Sequence, residues 1–455
     1  MKQFILFICL LAISCPVIAE DPTQIMLTNY LQKVSDKRGL LSNETFISSM
    51  FQSFRNYHPR RYQAPNNETV HYQIFQNRLK TAVENNIQPN LTFTRGLNQY
   101  SDWTPSELQV LRGNRPPPSI ARANYDRMTF SRTQQSRGSR KRKHPPPTST
   151  TTSTRAPIFT STTTSTLAPI PTSTTTSTRT PIFTSTTTST LAPIPTSTTT
   201  PTSTPGTFDY TTQVSALNKN VSIIRPIRDQ GYCGSCYAFA IIALFEAQYA
   251  FHYGQAVNMS DQQIVDCSTG DYGCIGGYFD TSFAYVQNYN WYLDSALSYP
   301  YKAVASTCAA KTTNGWSVGN LVYRHLTPKN ASAMQEALVT FGPLWVSLYV
   351  GSDCSGTAKA KCPVDPTVAG NIMHAFQSYT GGIFQVNGCI TSAANNNHAM
   401  VIVGYGHDPV TNLDYWKLRN SWGIGWGENG YVRIQRGNNM CNIESDAFLI
   451  AKPAA

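Results

Sequence analysis

The chain has 455 residues, with 36 Lys and Arg against 25 Asp and Glu and a formal net charge of +11. The excess is uneven: residues 1–205 carry 22 basic and 9 acidic side chains (22 − 9 = +13), whereas residues 206–455 carry 14 and 16 (14 − 16 = −2). The total therefore does not mark the second half as a nucleic-acid-binding domain, and no later segment has the about 18 or more apolar residues that a membrane span needs.

Residues 1–19, "MKQFILFICLLAISCPVIA", place Lys2 before an apolar run and the small residues Val17 and Ala19 at cleavage-site spacing, the pattern of a signal peptide. Pro16 and the following Glu20 and Asp21 argue against a membrane anchor. A secreted or lysosomal product is expected. Of 11 cysteines, Cys9 and Cys15 leave with this segment, and the other nine all lie beyond Thr207. An oxidising compartment favours pairing, and an odd number leaves one thiol over.

Residues 20–112 are polar, contain no cysteine, and carry glycosylation sequons at Asn43, Asn67 and Asn90. In "HYQIFQNRLKTAVENN", Ile74, Phe75, Leu79, Ala82 and Val83 fall at helical spacing. Thr104 and Pro105 read as a further helix start. Eight basic residues lie between Arg122 and Lys143 and end in "RGSRKRK". In a secreted chain this run reads as a solvated tail or a convertase site rather than a nucleic-acid patch, and Arg137 to Arg140 satisfies Arg-x-x-Arg. Residues 148–195 then repeat "TSTTTSTRAPIF" and its variants with a period of 12. Thr, Ser and Pro offer too little apolar surface to offset the entropy of ordering, so this tract is expected to be a mucin-like, O-glycosylated stalk.

Beyond Pro205 the texture changes. "CYAFAIIALFEAQYA", Cys236 to Ala250, is apolar nearly all round and predicts a buried helix. From Ser317 onward, short β-rich runs such as "PLWVSLYV", "HAMVIVGYG" and "GYVRIQRG" alternate with Gly and Asn turns. A helical half followed by a sheet half is an α+β layout. Within "DQGYCGSCYAF", the pair Cys233 and Cys236 fits two chemistries: a redox dithiol, or one structural and one nucleophilic cysteine.

Four ordered motifs carry a resemblance to the papain-like, cathepsin L-like cysteine proteases over residues 207–455: "CGSCY", "GCIGGYF" at Gly273 to Phe279, "NNNHAMVIVGYG" with His398, and "LRNSWGIGWGENGYVRI" with Asn420. Upstream, "GLNQYSD" resembles that family's inhibitory propeptide, with Tyr100 in place of Phe. The helix before it keeps Phe75 and Asn86 but has His71 where the family usually has Arg. The resemblance implies a signal peptide at 1–19, an inhibitory propeptide at 20–126, a basic and Ser/Thr/Pro-rich linker at 127–206, and a two-lobed protease domain at 207–455 with a helical left lobe, a β-barrel-like right lobe and a cleft between.

By the same resemblance Cys236 supplies a thiolate, its pKa lowered by the helix N-terminus and by protonated His398. His398 moves the proton, Asn420 orients the imidazole, the Cys236 N–H and the Gln230 amide receive the oxyanion, and Trp422 shields the His398 to Asn420 bond. Gly276, Gly277, Tyr278, Phe279, Ser347, Asn396 and Asp446 fall around the bound peptide, and an acidic Asp446 predicts acceptance of Arg as well as Leu or Phe two residues before the cut. The family's pairing joins Cys233 to Cys274, Cys267 to Cys308 and Cys389 to Cys441. Cys354 and Cys362 then pair with each other and Cys236 is the odd thiol, which, with no βαβ pattern around the motif, disfavours the redox reading.

Three departures matter. Tyr237 stands where Trp usually follows the nucleophile, as in a dipeptidyl aminopeptidase branch, but no counterpart of that branch's blocking domain is present, so an endopeptidase is preferred. The paired histidines of the dipeptidyl carboxypeptidase branch are not seen either. His398 follows Cys236 by 398 − 236 = 162 residues against about 130 to 150 in the family, with the excess near Gly351 to His374, where a disulfide-bonded surface loop carrying His374 is expected. A function of another class, a catalytically silent binding or structural protein on the protease scaffold, is the alternative. No metal or cofactor is implied; the expected partners are peptide substrates and the chain's own propeptide, with no nucleic acid, and a monomer is expected.

Overall fold

The structure is a computed structural model that describes residues 39–58, 67–114, 204–212, 221–352, 365–389 and 392–453. All of these belong to one unit built from residues 1–117 and 199–455. The expected signal peptide, the basic run with its Arg-x-x-Arg pattern, the Ser/Thr/Pro repeat and the expected Cys354 to Cys362 bridge lie outside the described residues.

Two helices open the described chain. Asn43 caps α1 (Glu44–Tyr57) by accepting the Phe46 N–H at 3.0 Å. Ile47, Met50, Phe51 and Phe54, at i, i+3, i+4 and i+7, are its buried stripe. On α2 (Asn67–Asn86) the spacing places Phe75, Leu79, Ala82 and Val83 in the interior, whereas Ile74, expected with them, is half-buried. The Phe75 ring meets Phe51 and Phe54 at 5.2 and 5.0 Å. With Leu97 these residues form a small core distinct from the main one.

The same stretch then joins the main sheet. β1 (Phe93–Arg95) pairs antiparallel with β7 (Tyr379–Phe384), Phe93 opposite Gly382. A short turn of helix, α3 (Pro105–Leu108), starts where expected. Thr104 accepts the Glu107 N–H, and Glu107 returns the bond to the Thr104 N–H, a complete capping box.

After β2 (Phe208–Asp209) comes the long helix α4 (Cys236–Tyr253). Fourteen of its residues are buried, including consecutive positions from Cys236 to Gln248, because it is packed on every side by α5 (Asp261–Cys267), α6 (Phe279–Asn288) and the sheet. It stops at Gly254, whose φ of 66° suits a residue without Cβ. A two-stranded ribbon, β3 (Tyr292–Asp294) and β4 (Gly315–Ser317), completes the helical part.

The sheet part contains β5 (Val322–His325), α7 (Ala331–Phe341), β6 (Leu344–Leu348), α8 (Pro366–Gln377), β7, β8 (His398–Asp408), β9 (Leu413–Arg419), β10 (Tyr431–Gln435) and β11 (Ala447–Ala451). Strand order is β1-β7-β10-β9-β8-β6-β11-β5, with β2 also on β8; β7 and β10 are parallel and the other pairs antiparallel. The α+β layout is as expected. His374 is a correction: it lies on α8 and is half-buried there rather than on a surface loop, because Phe376 anchors that helix against Trp422 and Trp426 at 5.5 and 5.2 Å.

Candidate active site

Three disulfides are present among the described residues, Cys233–Cys274, Cys267–Cys308 and Cys389–Cys441, and Cys236 is the free cysteine. Cys233 is therefore bonded and cannot act as a dithiol partner. The bridge to Cys274 ties the turn before α4 to the 273–277 segment, so the start of α4 is fixed from both sides. Cys236 is the first helical residue and fully buried.

β8 brings the second group. Its first residue is His398, and the N–H of the next, Ala399, lies 3.4 Å from Cys236 Sγ. His398 Nε2 is 2.9 Å from Asn420 Oδ1, which also accepts the Ser421 N–H at 2.8 Å. An oxygen that already accepts one N–H takes a second from the ring, so Nε2 carries the proton and Nδ1 is left basic. The Trp422 ring lies over the imidazole with centroids 4.8 Å apart and is buried, which keeps water from that bond.

Gln230 is also buried, and its amide is oriented by Ser421 Oγ, which donates to Oε1 at 2.7 Å. Its Nε2 donates to the Cys233 carbonyl at 2.8 Å and to the Leu111 carbonyl at 3.2 Å. Leu111 belongs to the first part of the chain, and its neighbours follow the same path. The Gly113 N–H is 3.3 Å from Cys236 Sγ, Gly277 N–H donates to the Gly113 carbonyl at 2.8 Å, and the Asn114 N–H donates to the Asn397 carbonyl at 3.2 Å. Asn114 and Gly277 form a parallel bridge. Residues 111–114 thus lie across the thiol. The fit is tight, since a Cβ on Gly113 would come within 1.7 Å of the Gly234 carbonyl oxygen.

Further back, the residues 97–103 hold the segment in place. The Tyr100 hydroxyl donates to the Trp422 carbonyl at 3.1 Å and the Gln99 amide donates to the same oxygen. The imidazole of His71 meets the Asp102 carbonyl at 2.6 Å, both residues buried.

The electrostatics describe the covered state of the site. Burial pushes the Cys236 thiol up to about 11, and the N–H groups of Ala399 and Gly113 only partly offset it. Burial pulls His398 down to about 4 against the Asn420 bond and the Leu111 carbonyl, both of which favour the charged ring. The lowering expected from the helix N-terminus and a neighbouring imidazolium concerns the uncovered site; with residues 111–113 over the thiol, loss of water dominates and favours the neutral form of each group.

A model of the papain family cysteine proteases matches residues 205–362 and 353–451, and a model of the cathepsin propeptide inhibitor domain matches residues 51–108. The chain belongs to the papain family of cysteine proteases. It is 35% identical to cathepsin L2 of Homo sapiens over 230 residues, 49% of this chain and 61% of that one, and 34% identical to the oryzain gamma chain of Oryza sativa subsp. japonica over 227 residues, 50% of this chain and 56% of that one. The match thus spans little more than half the length of these relatives. Among solved structures, the digestive procathepsin L2 proteinase from the larval midgut of Tenebrio molitor superposes with a TM-score of 0.59 at 23% identity, covering 89% of this chain and all of that one, which shows a shared fold. No helix among the described residues is long and apolar enough to cross a membrane.

The other residues singled out in this papain-family chain divide into two groups. Tyr278, Ser347, Asn396 and Asp446 come together: the Tyr278 hydroxyl is 2.7 and 2.6 Å from the two Asp446 oxygens, Ser347 Oγ is 2.5 Å from Oδ2, and Asn396 Nδ2 donates to Ser347 Oγ at 2.9 Å. Phe279 does not join them. It starts α6 and stacks on Phe448 at 4.3 Å beside Trp345, because the helix turns its side chain into the interior. Gly276, at φ 136°, accepts the Tyr272 N–H, and Gly277 alone meets the covering segment.

Asp271, which no motif singled out, and Tyr237 also contribute. Asp271 is buried and accepts the Tyr278 N–H at 2.9 Å, Ser268 Oγ at 2.6 Å and Ser282 Oγ at 2.7 Å, and its other contact is Thr281. Tyr237 lies under the same segment and donates its hydroxyl to the Gly273 carbonyl at 3.0 Å. A Cβ on Gly277 would come within 2.4 Å of Asp271 Oδ1 and 2.5 Å of Tyr237 Cε2. Gly277→Ala is accordingly expected to lift the segment off this seat and weaken binding of any peptide along it by roughly five- to a hundredfold, the range for an overpacked site. A titration with a reversible peptide-aldehyde inhibitor measures it, with Cys236 alkylation by iodoacetamide as the control that should change little.

Proposed function

We propose that the protein is made as a secretory zymogen, with residues 1–19 as signal peptide and 20–126 as propeptide, and acts as a cysteine endopeptidase once residues 111–114 leave the cleft. The observation that carries this reading is the free thiol of Cys236 at the start of α4, 3.4 Å from the N–H that follows His398, with the His398 ring held by Asn420. Leaving the cleft admits water to both groups, so the proton can pass from Cys236 to His398 Nδ1, and the helix N-terminus then favours the thiolate.

The thiolate adds to the carbonyl carbon of the scissile bond. The resulting oxyanion is received by the Cys236 N–H and Gln230 Nε2, whose direction Ser421 fixes. His398 gives its proton to the leaving amine as the C–N bond breaks, leaving a thioester. Water, losing a proton to His398, attacks that thioester and returns the thiol. Asn420 keeps Nδ1 facing the chemistry, and Trp422 keeps water from the bond that does so. Tyr278, Ser347, Asn396 and Asp446 form the pocket that selects the side chain two residues before the cut, with Arg accepted as well as Leu.

The test is hydrolysis of a fluorogenic peptide by the full-length chain after incubation at acid pH, followed with N-terminal sequencing of the product. Hydrolysis that disappears on alkylation of Cys236 is expected. A processed product whose thiol titrates but which cleaves no peptide in a mixed-sequence library would leave the silent-scaffold function instead.

A further inference from the structure

We propose that a cavity walled on one side by Asn85, Phe93 and Arg95 and on the other by α8 and the end of β7 binds a small oxyanion of the phosphate or sulfate class, and that its occupation holds the covering segment over the thiol. The inference rests on the proposed reading of residues 20–126 as a propeptide.

The cavity has a volume of about 390 Å³. Asn85 comes from α2 and Arg95 from β1; Asn371 comes from α8, and Gln385 and Asn387 follow β7. Arg95 is the one charged residue among the described residues that line it, and the four side-chain amides just named accompany it. Asn371 and Asn387 are exposed, so the cavity opens to solvent.

Arg95 is fixed through its backbone. Its N–H donates to Asn86 Oδ1 at 3.0 Å, and its carbonyl accepts Asn86 Nδ2 at 2.7 Å. Its guanidinium carbon lies 5.7 Å from the Phe93 ring centroid. Arg78 precedes Asn85 by two turns on the same face of α2 and is only 6% exposed. Arg78 Nη1 and Arg95 Nε are buried without a hydrogen-bond partner, and neither guanidinium forms an ion pair among the described residues. Burial, and then the charge of Arg95 nearby, pull Arg78 down to about 10.

Two neighbouring guanidinium groups with no acid to offset them make the closed form costly. A dianion matches their joint charge. The planar guanidinium fork takes phosphate or sulfate oxygens in pairs, and side-chain amides can donate to the remaining ones. The arginines and two of the three parts that carry the amides belong to different ends of the chain, so the site is complete only while residues 85–95 stay against the protease domain. A ligand of one form alone shifts the equilibrium toward that form. An anion held here therefore opposes the release of β1, and with it of residues 97–103 and 111–114, which follow it.

The experiment uses the unprocessed full-length chain at neutral pH in millimolar sodium phosphate or sodium sulfate, with sodium chloride at matched ionic strength as the reference. Calorimetric titration with each anion gives Kd. At ten times Kd, alkylation of Cys236 by iodoacetamide is expected to slow about tenfold, the factor by which the open fraction falls. Arg95→Gln should abolish both the heat of binding and the slowing. Asn371→Asp, at an exposed position, puts a carboxylate into the cavity and should slow alkylation in chloride alone while removing the response to phosphate. In the processed enzyme the same phosphate should leave peptide hydrolysis unchanged. An alkylation rate that neither anion changes, an equal slowing in Arg95→Gln, or an undiminished phosphate response in Asn371→Asp overturns the inference and leaves the protease function intact. A processed chain that hydrolyses no peptide overturns the function, while the anion response of the unprocessed chain still decides this site.

Discussion

Cys236→Ser is expected to lower hydrolysis by at least about a thousandfold and to abolish labelling by thiol-alkylating reagents, with thermal stability little changed. A serine hydroxyl is a far weaker acid than a thiol, so the transfer of its proton to His398 that yields a thiolate from Cys236 is strongly disfavoured. The three bridges found among the described residues do not involve position 236, so the scaffold persists. Cys233→Ser should do the reverse. It opens the bond to Cys274, which closes a loop of 41 residues, and should cost about 2 to 5 kcal/mol of stability while residual folded protein remains alkylated at 236. Mass spectrometry of the alkylated chains, beside a thermal melt, separates the two. Labelling retained by the 236 variant and lost by the 233 variant would reverse the assignment.

The second large effect is expected at Gly113. Its Cβ position falls 1.7 Å from the Gly234 oxygen and 2.9 Å from the Gly234 Cα, so the obstacle is backbone held by the Cys233–Cys274 bridge next to it. Gly113→Val cannot be absorbed by a side-chain rotation. The segment must rise, losing the Gly113 N–H to Sγ contact, the Gly277 N–H bond and the Gln230 bond to Leu111 together. At about 0.5 to 1.5 kcal/mol each, the three amount to roughly ten- to a thousandfold in the closed-to-open ratio. Alkylation of Cys236 in the unprocessed full-length chain at neutral pH should accelerate by that factor. An unchanged rate would mean that residues 111–114 do not control access to the thiol.

The pKa shifts also fix how stability follows pH. His398 is depressed to about 4 in the closed form, so between there and the ordinary histidine value of 6.5 the unfolded chain binds a proton that the folded one refuses. Stability therefore falls as pH drops through that window, by about 3 kcal/mol for the full 2.5-unit shift. Cys236, raised from 9.0 to about 11, acts on the other flank, where the unfolded thiol ionises first and stability falls above pH 9. The unprocessed chain should thus be most resistant to urea between about pH 6.5 and 9, and His398→Gln should remove the acid-side slope. If the wild-type slope below pH 6.5 is the same in that variant, other groups carry it.

What could be read from the sequence was local. The apolar run after Cys236, the Thr104–Pro105 start, and the β-rich run "HAMVIVGYG" each specify an element through near neighbours, and each formed where expected. Contacts over long separations left no trace of this kind. β1 has three residues, too few for a period, and its central residue Thr94 pairs with Gly381, 287 positions away. Asp271 reaches the covering segment's seat through the α6 turn, which only the fold brings there. The raised pKa of Cys236 in the covered state left no such trace either, because helix position is local and burial by residues 111–113 is not. Phe279 shows the converse: its neighbours in sequence line the cleft, yet the first turn of α6 rotates it inward.

Covering the thiol has a chemical consequence apart from blocking peptides. Peroxides and disulfides attack cysteine through its thiolate, and exposure and a low pKa decide which cysteines proceed to sulfenic acid and beyond. A buried sulfur that ionises only near pH 11 is a poor target for either reagent. In an oxidising compartment the stored chain would therefore keep its nucleophile in the reduced form, and the chemical lifetime of Cys236 would begin only when Leu111 to Gly113 lift away.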